Sequence, residues 1–208
     1  MRRQLRGMLL LIAGMAMLLT AAGMLALQER QATVAGQNAE VLLEKITEQI
    51  AVKKEEVIYD TAVEEAPPAG EVPKATWQGY DMIGILRMPS LSMELPILQE
   101  WSYDLLELSP CRYSGSAEGG DLIILGHNYK KHFTPMKKLK VGDEVEFCDA
   151  QGTVYRYQVT KTEILKPAEL DRLTGSEHDL TLFTCTGGGY KRHVVRCDRI
   201  PEEESVLR

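Results

Sequence analysis

Between Met8 and Leu27 the chain runs for twenty residues without one charged side chain. As a helix rising 1.5 Å per residue, such a run spans about 30 Å, the hydrocarbon thickness of a bilayer. A cleaved secretory signal would carry a shorter apolar region, about 7–15 residues, ending at a small-x-small site. Ala21-Ala22-Gly23 is a weak site of that kind, and the run is long for it. Residues 1–30 therefore read as a cytoplasmic tip and an uncleaved transmembrane helix. Arg2, Arg3 and Arg6 precede the run, whereas Arg30 alone follows closely and is offset by Glu29. That asymmetry predicts a cytoplasmic N-terminus and an extracellular remainder.

Residues 31–76 read as a helical stalk and a linker. Leu42, Leu43, Ile46 and Ile50 recur at helical spacing among Glu44, Lys45, Glu48, Lys53 and Lys54, which predicts a helix over 37–57. Its apolar stripe is narrow and suits a stalk or a weakly dimerising helix. From Asp60 to Pro73 the chain is acidic and proline-rich without periodicity, as in an extended, solvated linker. The texture changes near Trp77. Short apolar or alternating runs cover 82–88, 95–98, 121–126, 144–149, 153–165, 180–185 and 193–200, with Gly, Pro, Asp and Ser between them. Residues 77–208 thus predict an all-β barrel or sandwich, with short helices near 103–107 and 134–139.

Composition narrows the function classes. The chain of 208 residues is 44% hydrophobic and 26% charged, enough for a packed core. A net charge of -6 argues against nucleic acid as a partner, because phosphate recognition needs clustered Lys and Arg. Four scattered cysteines without a Cys-x-x-Cys pair are too few for a disulfide-stapled miniprotein and lack zinc-knuckle spacing.

Three residues end or open strands while their chemistry suits a core poorly. His127 follows Leu122-Ile123-Ile124-Leu125-Gly126; Cys185 ends Leu180-Thr181-Leu182-Phe183-Thr184; Arg192 opens His193-Val194-Val195-Arg196-Cys197. Gly187, Gly188 and Gly189 predict a hairpin that places Cys185 and Arg192 on adjacent antiparallel strands. Such a trio can perform acyl transfer. An imidazole takes or shares the thiol's proton, and a permanently charged guanidinium stabilises the oxyanion of a tetrahedral intermediate. Taken singly, each has a bland reading: a buried thiol, a turn histidine, a surface arginine.

Together with their surroundings they resemble the sortase family. The resemblance rests on Tyr80-Asp81-Met82-Ile83-Gly84-Ile85-Leu86-Arg87-Met88-Pro89, on Tyr113-Ser114-Gly115-Ser116 followed by Gly119 to His127, and on Thr181-Leu182-Phe183-Thr184-Cys185-Thr186 with Arg192 downstream. It implies a closed eight-stranded β-barrel and a cysteine transpeptidase. Cys185 would be the nucleophile, His127 the general acid/base, and Arg192 the oxyanion and substrate-positioning residue. The expected substrate is a secreted protein with a C-terminal sorting signal, Leu-Pro-any-Thr-Gly-like, cleaved between Thr and Gly. An amine of a peptidoglycan precursor or a pilin lysine would resolve the thioester. Thr184 and Thr186 flank the nucleophile as candidate substrate contacts. Leu170 and Leu173 would line the pocket for the signal. No cofactor or metal is expected, although the carboxylates of the 164–179 loop offer a possible Ca²⁺ site.

Arg196 lies on the same strand face as Arg192, but Arg192 sits nearest the hairpin; His193 points the other way. His132 and His178 read as solvated loop residues, and Cys111, Cys148 and Cys197 as reduced core residues. The chain shows neither a C-terminal apolar run nor an Asp-Pro-aromatic lid, which favours a single-pass, wall-anchoring type over a pilus polymerase. The rival readings are an L,D-transpeptidase-like wall cross-linking enzyme, which would carry a His-Gly-Cys string, and a non-catalytic peptide-binding barrel.

Overall fold

The computed structural model describes residues 2–59, 72–174, 177–186 and 189–201. One helix, α1 (Arg2–Tyr59), joins the apolar run to the expected stalk without a break. The sequence offers no stop between them, since the first proline is Pro67 and isolated glycines only weaken a helix. Met17 and Leu18 in the apolar run are 75% and 73% exposed. α1 is long and apolar enough to cross a membrane. The linker expected over 60–73 falls, at residues 60–71, outside the described residues.

The strands are β1 (Ala75–Trp77), β2 (Tyr80–Met88), β3 (Met93–Leu98), β4 (Cys111–Ser114), β5 (Leu122–Gly126), β6 (Glu144–Asp149), β7 (Val154–Leu165), β8 (Leu180–Thr186) and β9 (Lys191–Arg199), with helix α2 (Tyr103–Leu108) before β4. They follow the order β1-β2-β3-β4-β5-β8-β9-β7-β6, and β2 also pairs with β6. β2 through β9 therefore close into the eight-stranded barrel, and β1 is a short flap on β2. Closure leaves no sheet edge in the ring.

Strand parity sorts the core into two layers. Leu122, Ile124, Leu180, Leu182, Val195 and Cys197 fill the barrel with Phe147 and Tyr157. Ile123, Leu125, Phe183 and Val194 face outward into a second apolar layer with Leu42, Ile46 and Ile50 of α1. β2 changes parity at Gly84, where its register against β3 shifts. A Cβ there would lie 2.2 Å from the Cys148 carbonyl oxygen, so only glycine lets β6 approach this closely.

The apolar stripe of α1 is no free stalk. Ala35, Ala39, Leu42, Ile46 and Ile50, spaced by three or four residues, are all buried on the chain's own barrel. Full burial of each large side chain contributes roughly 1.5–3 kcal/mol. The stripe that could have served a dimer is covered by the fold itself.

His132 lies beneath this helix. It reads as a solvated loop residue in sequence, yet it is fully buried; its Nε2 is 3.4 Å from the Ala35 carbonyl oxygen. Lys131 beside it packs its stem on Gly36 and reaches Glu40 at 2.6 Å. Burial pushes the His132 imidazole down from 6.5 to about 4. Because the folded value lies below the unfolded one, the unfolded chain takes up the proton first as pH falls. Stability is unaffected above about pH 6.5 and is lost progressively between 6.5 and 4, about 2 kcal/mol of it by pH 5. Denaturant unfolding of the full chain in micelles at pH 7.5 and 5.0 checks this: His132→Gln should remove that share of the pH dependence, and an unchanged dependence would refute it.

Candidate active site

Two strand pairings build the site. β5 and β8 run parallel, and their last paired residues are Gly126 and Thr184. One step further along each strand brings His127 beside Cys185. β8 and β9 are antiparallel, with Cys185 directly opposite Arg192, so their side chains share a sheet face. Parity assigns that face: Phe183 and Val194, the pair two residues back from Cys185 and Arg192, both lie in the outer apolar layer. The backbone register thus sets Cys185, His127 and Arg192 on neighbouring strand ends at one rim of the barrel.

Their surroundings differ. Of the four cysteines, Cys185 alone escapes full burial, and all four are free thiols. Burial holds Cys111 up at about 12 and raises Cys197 as well, so both remain inert thiols. His127 is half-buried; burial lowers its pKa and the Glu107 carboxylate partly offsets that. Its ring lies 4.8 Å from that of Tyr129, tilted by 33°, and its carbonyl accepts from the Phe133 amide at 3.0 Å. Gly126 is required before it, because a Cβ would lie 2.6 Å from the Phe133 ring. Arg192 donates through Nη1 to the Gly189 carbonyl at 2.7 Å and the Lys191 carbonyl at 3.2 Å. Those bonds fold the guanidinium back over its own hairpin.

The other expected residues separate. Thr184 is fully buried, and its hydroxyl donates to the Gly126 carbonyl at 2.7 Å, which locks β5 to β8. Thr186 is half-buried and pairs with Lys191 at the strand end. Leu173 is buried in the outer layer with Phe183 and Val194, and Leu170 packs on that layer half-buried. Both belong to or follow the 3-10 turn Pro167–Arg172. Glu169 of that turn engages internally, accepting from the Lys166 amide at 3.0 Å. Among the described residues no group of three or more His, Cys, Asp or Glu is arranged to hold a metal.

Sequence reading passed over several neighbours. Exposed Trp101 stacks on Tyr113 at 5.9 Å, and Tyr113 meets Phe183 edge-on at 5.4 Å, an aromatic run that reaches β8, the strand of Cys185. Only their identity as aromatics flanking short elements could have flagged them. His178 is also no loose loop residue, since its Nδ1 lies 2.6 Å from Asp198.

The two strand arginines have opposite duties. Arg196 is 2% exposed and donates to Thr181 Oγ1 at 2.9 Å, to the carbonyls of Leu173 and Arg172 at 3.3 and 2.5 Å, and to Glu163 at 3.2 Å. It ties the 3-10 turn onto β8 and β9. Removing a buried charged donor strands its partners, so Arg196→Met should lower stability by about 3 kcal/mol or more. Arg192→Met, at the hairpin, should change unfolding by no more than about 0.5 kcal/mol. Parallel denaturant titrations decide it, and equal losses would contradict the division.

Known proteins share this fold. The family model of the sortase domain matches residues 86–200. Sortase A of Bacillus anthracis is 29% identical over 156 residues, covering 71% of this chain and 74% of that protein. A sortase D5 transpeptidase from Clostridium perfringens superposes with a TM-score of 0.59 at 21% identity, over 79% of this chain and 99% of the other. A sortase C from Clostridium perfringens, solved with the C-terminal cell wall sorting motif, reaches 0.52 at 25% identity, over 76% and 89%. These matches displace the L,D-transpeptidase-like alternative. With the closed barrel and the strand ends that carry a thiol, an imidazole and a guanidinium, they make this chain a member of the sortase family of cysteine transpeptidases.

Proposed function

We propose that the chain is a membrane-anchored transpeptidase that cleaves a Leu-Pro-any-Thr-Gly-like sorting signal on secreted proteins and passes the acyl group to a cell-wall amine. The observation that carries this reading is the register: Cys185 opposite Arg192 on β8 and β9, with His127 one residue past the Gly126–Thr184 pair. A sortase C relative solved with a sorting motif supports the substrate class. The apolar N-terminal half of α1 supports the anchor, and the arginines before it support an extracellular barrel.

The steps follow from the groups. The Cys185 thiol gives its proton to His127, its sulfur attacks the Thr carbonyl carbon, and Arg192 stabilises the oxyanion. The C–N bond to Gly breaks, His127 donates the proton that the leaving amine needs, and a thioester remains on Cys185. An incoming amine then gives its proton to His127 and takes the acyl group. Half-buried Leu170 offers apolar contact for the Leu-Pro part of the signal, whereas Leu173 is buried in the core. Thr186 stands at the mouth of the cysteine strand. Trp101 and Tyr113 extend the apolar surface toward Phe183.

Two measurements test this reading. The full chain in micelles, given an internally quenched sorting-type peptide library and triglycine, should carry a trapped acyl adduct on Cys185 and cleave between Thr and Gly. Cys185→Ala should abolish product, and Arg192→Ala should lower kcat by about 10²–10³. An adduct on another cysteine, or none with any peptide, rejects the enzyme reading in favour of a non-catalytic barrel. The base has its own signature. Burial favours neutral His127 and Glu107 favours its cation, so the ring should titrate below the usual 6.5, and Glu107→Gln should lower it further. An NMR titration of labelled His127 that moves upward in Glu107→Gln would overturn that assignment.

A further inference from the structure

Contacts along α1 order the barrel by height. Glu29 lies 3.7 Å from Lys130, and Glu40 lies 2.6 Å from Lys131. Further up, Gln49 donates to the Thr76 carbonyl at 3.2 Å, and Ile50 comes so near Gly152 that a Cβ there would lie 3.5 Å from it. Gln49 stands about 30 Å along the helix from Glu29. With the apolar run in a bilayer, the turn at Gly152 is the far end of the barrel and the loop after β5 is the near end.

One segment covers that near end. β5 stops at Gly126 and β6 starts at Glu144, and the chain between them crosses the rim that carries His127. Met136 and Leu139 sink into the barrel core, which holds the segment in place. Burial lowers the His193 imidazole and the Lys137 charge lowers it further; His193 pairs with Thr184, so Lys137 stands over the rim of Cys185 as well.

The segment is strongly basic. From Asn128 to Gly142 it holds five lysines and no carboxylate, in a chain whose net charge is -6. Glu29 and Glu40 engage Lys130 and Lys131. Among the described residues no carboxylate forms an ion pair with Lys137, Lys138 or Lys140. Asp143, the next acid along the chain, is turned onto the Lys140 backbone amide at 2.9 Å. Lys138 and Lys140 are exposed, and Val141 beside them is 66% exposed. Fixed, unneutralised cations around a small apolar tip suit a surface of phosphates above hydrocarbon.

We propose that Lys137, Lys138 and Lys140 form a docking face for the anionic phospholipid headgroups of the membrane that holds α1. This rests on the anchored reading above and adds a second contact between the protein and its bilayer. A single spanning helix tilts by about 20° on average, and a charged point away from its axis restricts that tilt. Each lysine beside an anionic membrane strengthens the attraction about fivefold, and the effect fades within a Debye length, about 8 Å.

The test is lysine labelling of the wild-type full chain in nanodiscs of phosphatidylcholine alone or mixed with phosphatidylglycerol. A brief pulse of an acetylating reagent is read at each site by peptide mass spectrometry. Lys137, Lys138 and Lys140 should label about fivefold more slowly in the anionic discs, and high salt should restore their rates. Lys74, at the far end with its side chain 49% exposed, should label equally in both. Lys138→Glu combined with Lys140→Glu, both on exposed side chains, should return Lys137 to its phosphatidylcholine rate. Equal rates in the two discs overturn the docking face, as does an equal slowing of Lys74. Protection by soluble polyphosphate without protection by the anionic discs overturns the lipid assignment. Failure of the chain to co-elute with the discs would instead remove the anchor, and the docking face with it.

Discussion

The pairing of β5 with β8 is the contact on which the site depends. The two strands lie 58 residues apart in sequence at the Gly126–Thr184 contact, and they run parallel, so both C-terminal ends emerge at the same rim of the barrel. Only a parallel pair puts the residue after β5 next to the residue near the end of β8. The buried Thr184 hydroxyl, bonded to the Gly126 carbonyl, fixes the register where a slip of one residue would turn Cys185 into the barrel and His127 away from it. A valine in place of Thr184 would fill similar space and lose that bond.

Parity then divides labour along the last strands. Even-numbered residues of β8 fill the barrel and odd-numbered ones face out. Thr181, Phe183 and Cys185 therefore form an outward series, matched across the ladder by Arg196, Val194 and Arg192. The series grades from buried to accessible. Arg196 closes the deep end by gripping the backbone of the 3-10 turn, Phe183 and Val194 form an apolar middle, and Cys185 and Arg192 stand at the open end. One alternation thus supplies a structural guanidinium and a chemically available one four residues apart.

Much of this was legible without coordinates because strand alternation and turn residues are local signals. Glu144–Asp149 is a strand over the range its pattern marks, and the glycine-rich turn correctly pairs Cys185 with Arg192. What escaped was set by tertiary contact. β4, Cys111–Ser114, has one buried residue, Cys111, followed by three that are half-buried or exposed, with no apolar rhythm, and it exists because β3 and β5 offer hydrogen-bonding edges. Lys130-Lys131-His132 looks solvated, yet the helix above buries its third member. The stripe from Leu42 to Ile50 has the same spacing whether its partner is a second copy or the chain's own barrel, so periodicity could not choose between them. The aromatic run from Trp101 to Phe183 joins three separate elements and has no sequence pattern at all.

The docking of α1 changes what an anchor can do. A free helical stalk from Leu27 to Tyr59 would hold the barrel about 48 Å from the bilayer, with freedom to swing. Instead Ala35 already touches the His127 loop through His132, only eight residues, or about 12 Å, beyond the end of the apolar run. With α1 anchored as proposed, the helix would set both height and orientation: the rim that carries His127 and Cys185 would lie close to the membrane and could not rotate away without exposing Leu42, Ile46 and Ile50 to water. A substrate tethered to that membrane would then meet the site within a thin layer, where search is nearly two-dimensional. The same burial that stabilises the fold would keep the site at the height where tethered partners arrive.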